Sequence, residues 1–285
     1  MGYFSKNAPL LFVTDLDDTV INGDGTMSAP VRAALKGLSN RGISIAAATG
    51  RPFKLIPDCV KDLSGLSYII SANGAVVCDW INRTQIAAYY LEKKDVLLIY
   101  EETTALGGAV DLYFTDEYIG EEKGRELMRR FMTFSKETLE AGNRLFTMVP
   151  SAKNSLLAKP EPIIKQVCIF ENTQCCQKVL EKLQYRKQIS AVSLSGYEIE
   201  VTAKHATKGN ALAFVREREN MEKSQIVTIG DNDNDLSMRD EAGFFIAMGT
   251  AGPHIKALAD YVTGSLHEDG AAQAIHTLIL NSPHW

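Results

Sequence analysis

Four short runs hold the residues whose types and spacing could do chemistry. "VTDLDDT", residues 13–19, sets Asp15 and Asp17 two apart at the end of an apolar run. A turn leaving a strand can aim both carboxylates into one crevice. One can then attack an electrophile while the other manages a proton, provided a cation offsets their repulsion. "AAATGRP", residues 46–52, follows another apolar run and offers the Thr49 hydroxyl and the unencumbered Gly50 amide. That combination can hold a phosphate oxygen. "TAKHATKGNAL", residues 202–212, puts Lys208 at a helix start, where a cation opposes the helix dipole unless it faces an anion. "IGDNDND", residues 229–235, alternates Asp231, Asp233 and Asp235 with Asn232 and Asn234.

Each run alone has an ordinary structural reading: an acidic turn capping a strand, a plain strand-to-helix turn, a solvated lysine. The alternating acids also open like a calcium loop. That reading fails, because the sixth position is Leu236 rather than glycine and the twelfth is Ala242 rather than glutamate. Asp231 therefore ends a strand, as Asp15 and Thr49 do, and Asn234 and Asp235 open a helix.

The elements that must position these residues are legible as buried strands alternating with helices. "PLLFVTD", "ISIAAATG" and "SQIVTIGD" are apolar runs of strand length, and "LSYIISANGAVVCDW" holds a third strand and a fourth. The helix in "SAPVRAALKGLSNRG" has Ser28 as N-cap, Pro30 in its first turn and Gly42 past its end. Helices follow in "ATKGNALAFVREREN", "NDLSMRDEAG" and "GPHIKALAD", with "FFIAMG" a further short strand. This rhythm predicts right-handed βαβ units. The expected fold is α/β: a doubly wound, mostly parallel, Rossmann-like sheet core carrying an inserted, smaller α+β cap domain. Residues 1–83 plus 189–285 would form the core and 84–188 the insertion, which holds helical "KKDVLLIYEETTAL", "EEKGRELMRRFMTFSKETL" and "TQCCQKVLEKLQYRK" and strand-like "AVDLYF" and "IIKQVCIF".

Composition narrows the classes. Over 285 residues, 45% hydrophobic and 23% charged content is that of a globular protein with ample core. A formal charge of −5 argues against general nucleic-acid binding. No apolar run is long enough to span a bilayer, and the first residues do not read as a signal peptide. Five cysteines, an odd number without a C-x-x-C pair, fit a reducing cytoplasmic setting and no zinc site.

Taken in order, "DLDDT", "TGR", "TKGNAL" and "GDNDND" resemble the four motifs of the haloacid dehalogenase superfamily of phosphohydrolases. "SANGA", "YEIEVTAKHATKG" and "HEDGAA", with the long insertion between the second and third motifs, resemble its Cof-type branch with an α/β cap. The resemblance spans nearly the whole chain. It implies a Mg²⁺-dependent phosphatase of small phosphorylated metabolites, sugar phosphates first. Asp15 would be the nucleophile and Asp17 the general acid and base. Mg²⁺ would be held by Asp15, the Asp17 backbone carbonyl and Asp231, with Asp235 supporting that shell. Thr49, Gly50, Lys208 and Asn234 would bind the phosphoryl oxygens, with Asn73 a further contact. Asp18 and Asp233 fall at variable motif positions.

Two other readings use the same residue types. A phosphomutase shares the aspartyl-phosphate, although such relatives carry a helical cap between the first two motifs, where only about thirty residues lie here. A receiver-like signalling module also combines acids, Thr and Lys on a doubly wound sheet, but the chain is long for one and Asp17 favours rapid hydrolysis. The expected partner is a small phosphorylated substrate; no nucleic acid, membrane or obligate protein partner is expected. In the insertion, Tyr113, Phe114, Arg125 and Arg129 suit a sugar phosphate, and suit core or solvated helix at least as well.

Overall fold

The structure, a computed structural model, describes residues 10–131, 144–193 and 195–281. Its strands are β1 Leu11–Thr14, β2 Ser44–Ala48, β3 Leu66–Ser71, β4 Val76–Asp79, β5 Thr84–Ala88, β6 Ala109–Phe114 and β7 Tyr118–Glu121. They continue with β8 Phe146–Val149, β9 Ile163–Ile169, β10 Ile189–Val192, β11 Glu198–Ala203, β12 Ile226–Gly230, β13 Phe244–Ala247 and β14 Tyr261–Val262. The helices are α1 Ala29–Asn40, α2 Asp58–Lys61, α3 Lys93–Ala105, α4 Glu122–Phe131, α5 Ala152–Ala158 and α6 Thr173–Gln184. The last four are α7 Lys208–Arg218, α8 Asp233–Arg239, α9 Pro253–Leu258 and α10 Gly270–Ile275.

One compact unit contains the chain up to Ala87 and from Thr207 onward. Its sheet has the order β14-β13-β12-β1-β2-β3-β4-β5. Five neighbouring pairs, from β14 to β3, run parallel, and β4 turns antiparallel to β3. β1 and β12 are buried along their whole length, as continuous apolar runs in a sheet covered on both faces must be. Side-chain alternation divides them. Phe12, Ile45, Val227 and Ile229 pack with Leu35 and Leu38 of α1 and Ile275 of α10. Leu11, Val13, Ala46 and Ile226 face the other way, onto Leu212 and Val215 of α7 and Met238 of α8. Ser28 caps α1 by accepting from the Val31 amide at 3.3 Å, and Gly42 leaves it at φ +75°, as the turn residues foretell.

From β1 the chain builds outward through β2 and β3, then resumes on the opposite side of β1 with β12, β13 and β14. The strand order reverses between β1 and β12. In open α/β sheets the crevice for ligands lies at such a switch point, outside the carboxyl ends of the strands.

The second unit, Ala88–Ala206, has a six-stranded sheet of order β10-β11-β9-β6-β7-β8. All its pairings are antiparallel except β7 with β8. Val110, Leu112, Cys168, Ile199 and Val201 on one sheet face pack against Val96 and Ile99 of α3, Leu156 of α5 and Val179 of α6. The boundaries at 84 and 188 therefore need correction. β5 is an edge strand of the larger sheet. β10 and β11 belong to the second unit, since β11 pairs with β9 and its Ile199 and Val201 are part of that core. β8 and α5 fall in a stretch without a clear apolar period. The helix expected through residue 139 is described only to Phe131; its remainder lies outside the described residues.

Candidate active site

All nine candidate residues lie in the first unit, at the carboxyl edge of its sheet or on the helix starts beside it. Asp15 follows β1, Thr49 and Gly50 follow β2, Asn73 follows β3, and Asp231 follows β12. Lys208 opens α7, with Thr207 as its N-cap accepting from the Asn210 amide at 3.1 Å. Asn234 and Asp235 lie in the first turn of α8.

Lys208 is not a solvated surface lysine. It is 1% exposed, and its Nζ donates to Asp15 Oδ1 at 2.5 Å and to Asp235 Oδ1 at 2.7 Å. Asp235 is fully buried; its Oδ2 accepts from the Asp231 and Asn232 amides at 3.0 and 3.1 Å. It orients both the lysine and the turn carrying Asp231. Gly230 makes room for this, because a Cβ there would lie 2.4 Å from Asp235 Cγ.

Carboxylate oxygens of Asp15, Asp231 and Asp235 lie within 4.8 Å of one another. One ammonium serves three acids, so the cluster retains negative charge. Burial raises the Asp15 carboxyl to about 8; Lys208 pulls it down, and Asp235 and Asp231 add to the rise. Burial, then Asp235 and Asp18, raises Asp231 to about 7. Burial works against the Lys208 charge, but Asp15 and Asp235 outweigh it and push its pKa up. Such a cluster needs protons or another cation. An all-oxygen set of hard donors suits Mg²⁺, so the residues present fit the expected ion.

The loops after β2 and β3 lock together. The Thr49 amide donates to Ile70 O at 2.8 Å, Thr49 O accepts from the Asn73 amide at 2.9 Å, and Thr49 Oγ1 accepts from the Arg51 amide at 3.0 Å. Ala72 and Asn73 both take positive φ, 50° and 58°. Gly74 follows at φ +96°, packed so closely that a Cβ would lie 2.2 Å from Thr207 O. This turn seats the loop after β3 against the start of α7, next to Lys208. Asn73 Oδ1 accepts from Asn234 Nδ2 at 3.1 Å, and Asn234 Oδ1 is buried without a hydrogen-bond partner.

Asp17 is placed differently from the cluster. Its carboxylate takes a fork from Arg51, with Nε 3.1 and 2.9 Å from Oδ1 and Oδ2 and an Nη2 2.6 Å from Oδ1. Arg51 stands inside "TGR" yet was absent from the sequence-derived set. Its signal was an arginine directly after a Thr-Gly at a strand end. Asp18 is exposed at φ 57°, and Asp233 pairs with His254 Nε2 at 2.6 Å, so neither joins the cluster. In the second unit Tyr113, Phe114 and Arg125 are buried, Arg125 paired with Asp111, while Arg129 is exposed.

No helix among the described residues is long and apolar enough to cross a membrane. A family model described as haloacid dehalogenase-like hydrolase matches residues 12–275. A 5-amino-6-(5-phospho-D-ribitylamino)uracil phosphatase of Bacillus subtilis is 29% identical, over 93% of this chain and 96% of its own. Another B. subtilis protein, Phosphatase YwpJ, is 27% identical over 94% and 99%. A solved haloacid dehalogenase-like hydrolase from B. subtilis superposes with a TM-score of 0.83 at 23% identity, over 95% of this chain and all of that one. The subclass IIB sugar phosphatase BT4131 gives 0.80 at 21%, over 94% and 98%. With the motifs assembled at one sheet edge and the family model matched along almost its full length, the chain belongs to the haloacid dehalogenase-like hydrolases.

Proposed function

We propose that this phosphatase is a Mg²⁺-dependent phosphomonoester hydrolase that works through a phosphoryl group carried on Asp15. The observation that carries the reading is the buried Lys208 held between Asp15 and Asp235, with Asp231 completing an acid cluster at the strand-order reversal. A dianionic phosphate approaching several carboxylates is prohibitive unless cations offset the charge. Asp15, the Asp17 backbone carbonyl and Asp231 would hold Mg²⁺, with Asp235 behind them. When bound, the ion would neutralise charge on the acids and on the phosphoryl oxygens.

The chain's own residues supply the rest. A carboxylate oxygen of Asp15 attacks phosphorus as the bond to the leaving oxygen breaks, and Asp17 gives that oxygen a proton. Asp17 then takes a proton from water, whose oxygen attacks the same phosphorus. The bond to Asp15 breaks, inorganic phosphate leaves and the carboxylate is restored. Thr49, the Gly50 amide, Lys208 and Asn234 stabilise the transferring oxygens, which is most of what such catalysis requires.

The substrates are small phosphorylated metabolites, with sugar or sugar-alcohol phosphates foremost. One relative acts on a phosphoribitylamino compound, and one similar structure is a sugar phosphatase. The Ala88–Ala206 unit is assigned the choice of leaving group. Purified protein is expected to release phosphate from p-nitrophenyl phosphate and from a panel of sugar phosphates only with Mg²⁺. Asp15→Asn is expected to abolish release, and full turnover by that variant would overturn the assignment.

A further inference from the structure

We propose that Arg51 is a positioning residue that fixes the working orientation of the Asp17 carboxylate. The inference rests on the reading of Asp17 as the group that protonates the leaving oxygen. The Asp17 side chain is 47% exposed, so packing does not select its rotamer. Among the described residues, every hydrogen bond to that carboxylate comes from Arg51. Arg51 is itself anchored at two further points: its amide donates to Thr49 Oγ1 at 3.0 Å, and its Nη1 donates to Leu55 O at 3.2 Å. The guanidinium therefore ties the half-exposed acid of the β1 turn to the loop after β2.

The fork is also asymmetric. Oδ1 receives two N–H groups, at 3.1 and 2.6 Å, whereas Oδ2 receives only the Nε donor at 2.9 Å. Oδ2 is the oxygen with lone-pair capacity to spare, and Arg51 determines where it points. An exposed ion pair ordinarily contributes little, but a planar, two-point arginine fork fixes direction in a way a lysine does not. Arg51 thus acts on the reaction through Asp17, without being required to touch the phosphoryl group.

The test is the dependence of kcat/KM on leaving-group basicity. This parameter reports steps up to departure of the leaving group, the stage at which Asp17 donates its proton. A series running from p-nitrophenyl phosphate to alkyl phosphates is measured for wild type, Arg51→Ala, Arg51→Lys and Asp17→Asn, each with a thermal melt. A positioned general acid contributes about 100-fold or more, and chiefly for basic leaving groups. Arg51→Ala is expected to lose about 100-fold on the alkyl esters and only a few-fold on p-nitrophenyl phosphate, steepening the slope as Asp17→Asn does. Arg51→Lys, which keeps the charge and loses the fork, is expected to fall between. A uniform loss across the series, with the wild-type slope, would overturn the role of Arg51 and leave the phosphatase reading standing. Hydrolysis that is absent in wild type, or that survives Asp15→Asn, would overturn both.

Discussion

Lys208 Nζ donates to Asp15 Oδ1 at 2.5 Å, closing a site across 193 residues of chain. The same ammonium reaches Asp235 Oδ1, so one buried cation holds together the end of β1 and the starts of α7 and α8. Removing it leaves two buried carboxylates facing each other.

Lys208→Met is therefore expected to do more than stop turnover. Breaking a buried charge network by deleting one partner costs about 3–5 kcal/mol. Urea melts are expected to show a loss of that order without divalent cation and a smaller loss with millimolar Mg²⁺. A variant as stable as wild type in both conditions contradicts the described role of the lysine.

The acid cluster predicts a pH-dependent response to Mg²⁺. Asp15 and Asp231, raised to about 8 and about 7, sit above the 3.8 of an unperturbed aspartate. Their contribution to metal-free stability is greatest below about pH 4, where folded and unfolded chains are both protonated. It is lost as pH rises through 7 to 8, where the folded state must ionise buried acids. Mg²⁺ replaces those protons, so its increment in melting temperature is expected to be larger at pH 8 than at pH 5.5. Binding should release protons into weakly buffered solution near neutrality. Equal increments at both pH values contradict the assignment of the cluster to the metal.

Gly74 tests the coupling between the loop after β3 and the lysine. At φ +96°, with a Cβ 2.2 Å from Thr207 O, alanine is strained and collides with backbone. Gly74→Ala is expected to cost at least about 2 kcal/mol and to lower kcat by displacing the start of α7. Denaturant melts and steady-state kinetics on the same preparation check both. A neutral substitution would show that the close approach has no functional weight.

Asn73 addresses a narrower point. Its Oδ1 accepts from Asn234 Nδ2, so Asn73→Ala frees the amide that the proposed mechanism directs at phosphate. KM for p-nitrophenyl phosphate is expected to rise several-fold, with a smaller change in kcat than Asp17→Asn produces. Unchanged kinetics would remove Asn73 from the phosphate-binding set and show that its contact does not hold Asn234 in place.

The sheet-edge residues were legible because parallel strands are apolar along their whole length and end abruptly. Asp15, Thr49 and Asp231 each mark such an end. Lys208 at a helix start read equally as a solvated lysine until its place among the four ordered motifs was considered, and its burial between Asp15 and Asp235 is visible only in the structure. The fork from Arg51 to Asp17 was not legible. Its partners are 34 residues apart, and an arginine after a turn glycine has the pattern of a surface residue. The end of the second unit was misplaced because β11 leads into the third motif without a composition break. Only its pairing with β9 and the burial of Ile199 and Val201 reveal which sheet it serves. Tyr113, Phe114 and Arg125 had two readings in sequence. Their burial in the second unit, with Arg125 paired to Asp111, favours the core.

The central claim is that Asp15 carries the phosphoryl group. Enzyme mixed with ³²P-labelled p-nitrophenyl phosphate and Mg²⁺ is quenched in acid at successive times within one turnover, digested, and its peptides are sequenced. Label is predicted on the peptide containing Asp15, lost on treatment with hydroxylamine as an acyl phosphate must be, and absent from Asp15→Asn. Phosphate release with label on a different residue, or with no labelled protein at any time of quench, would contradict it.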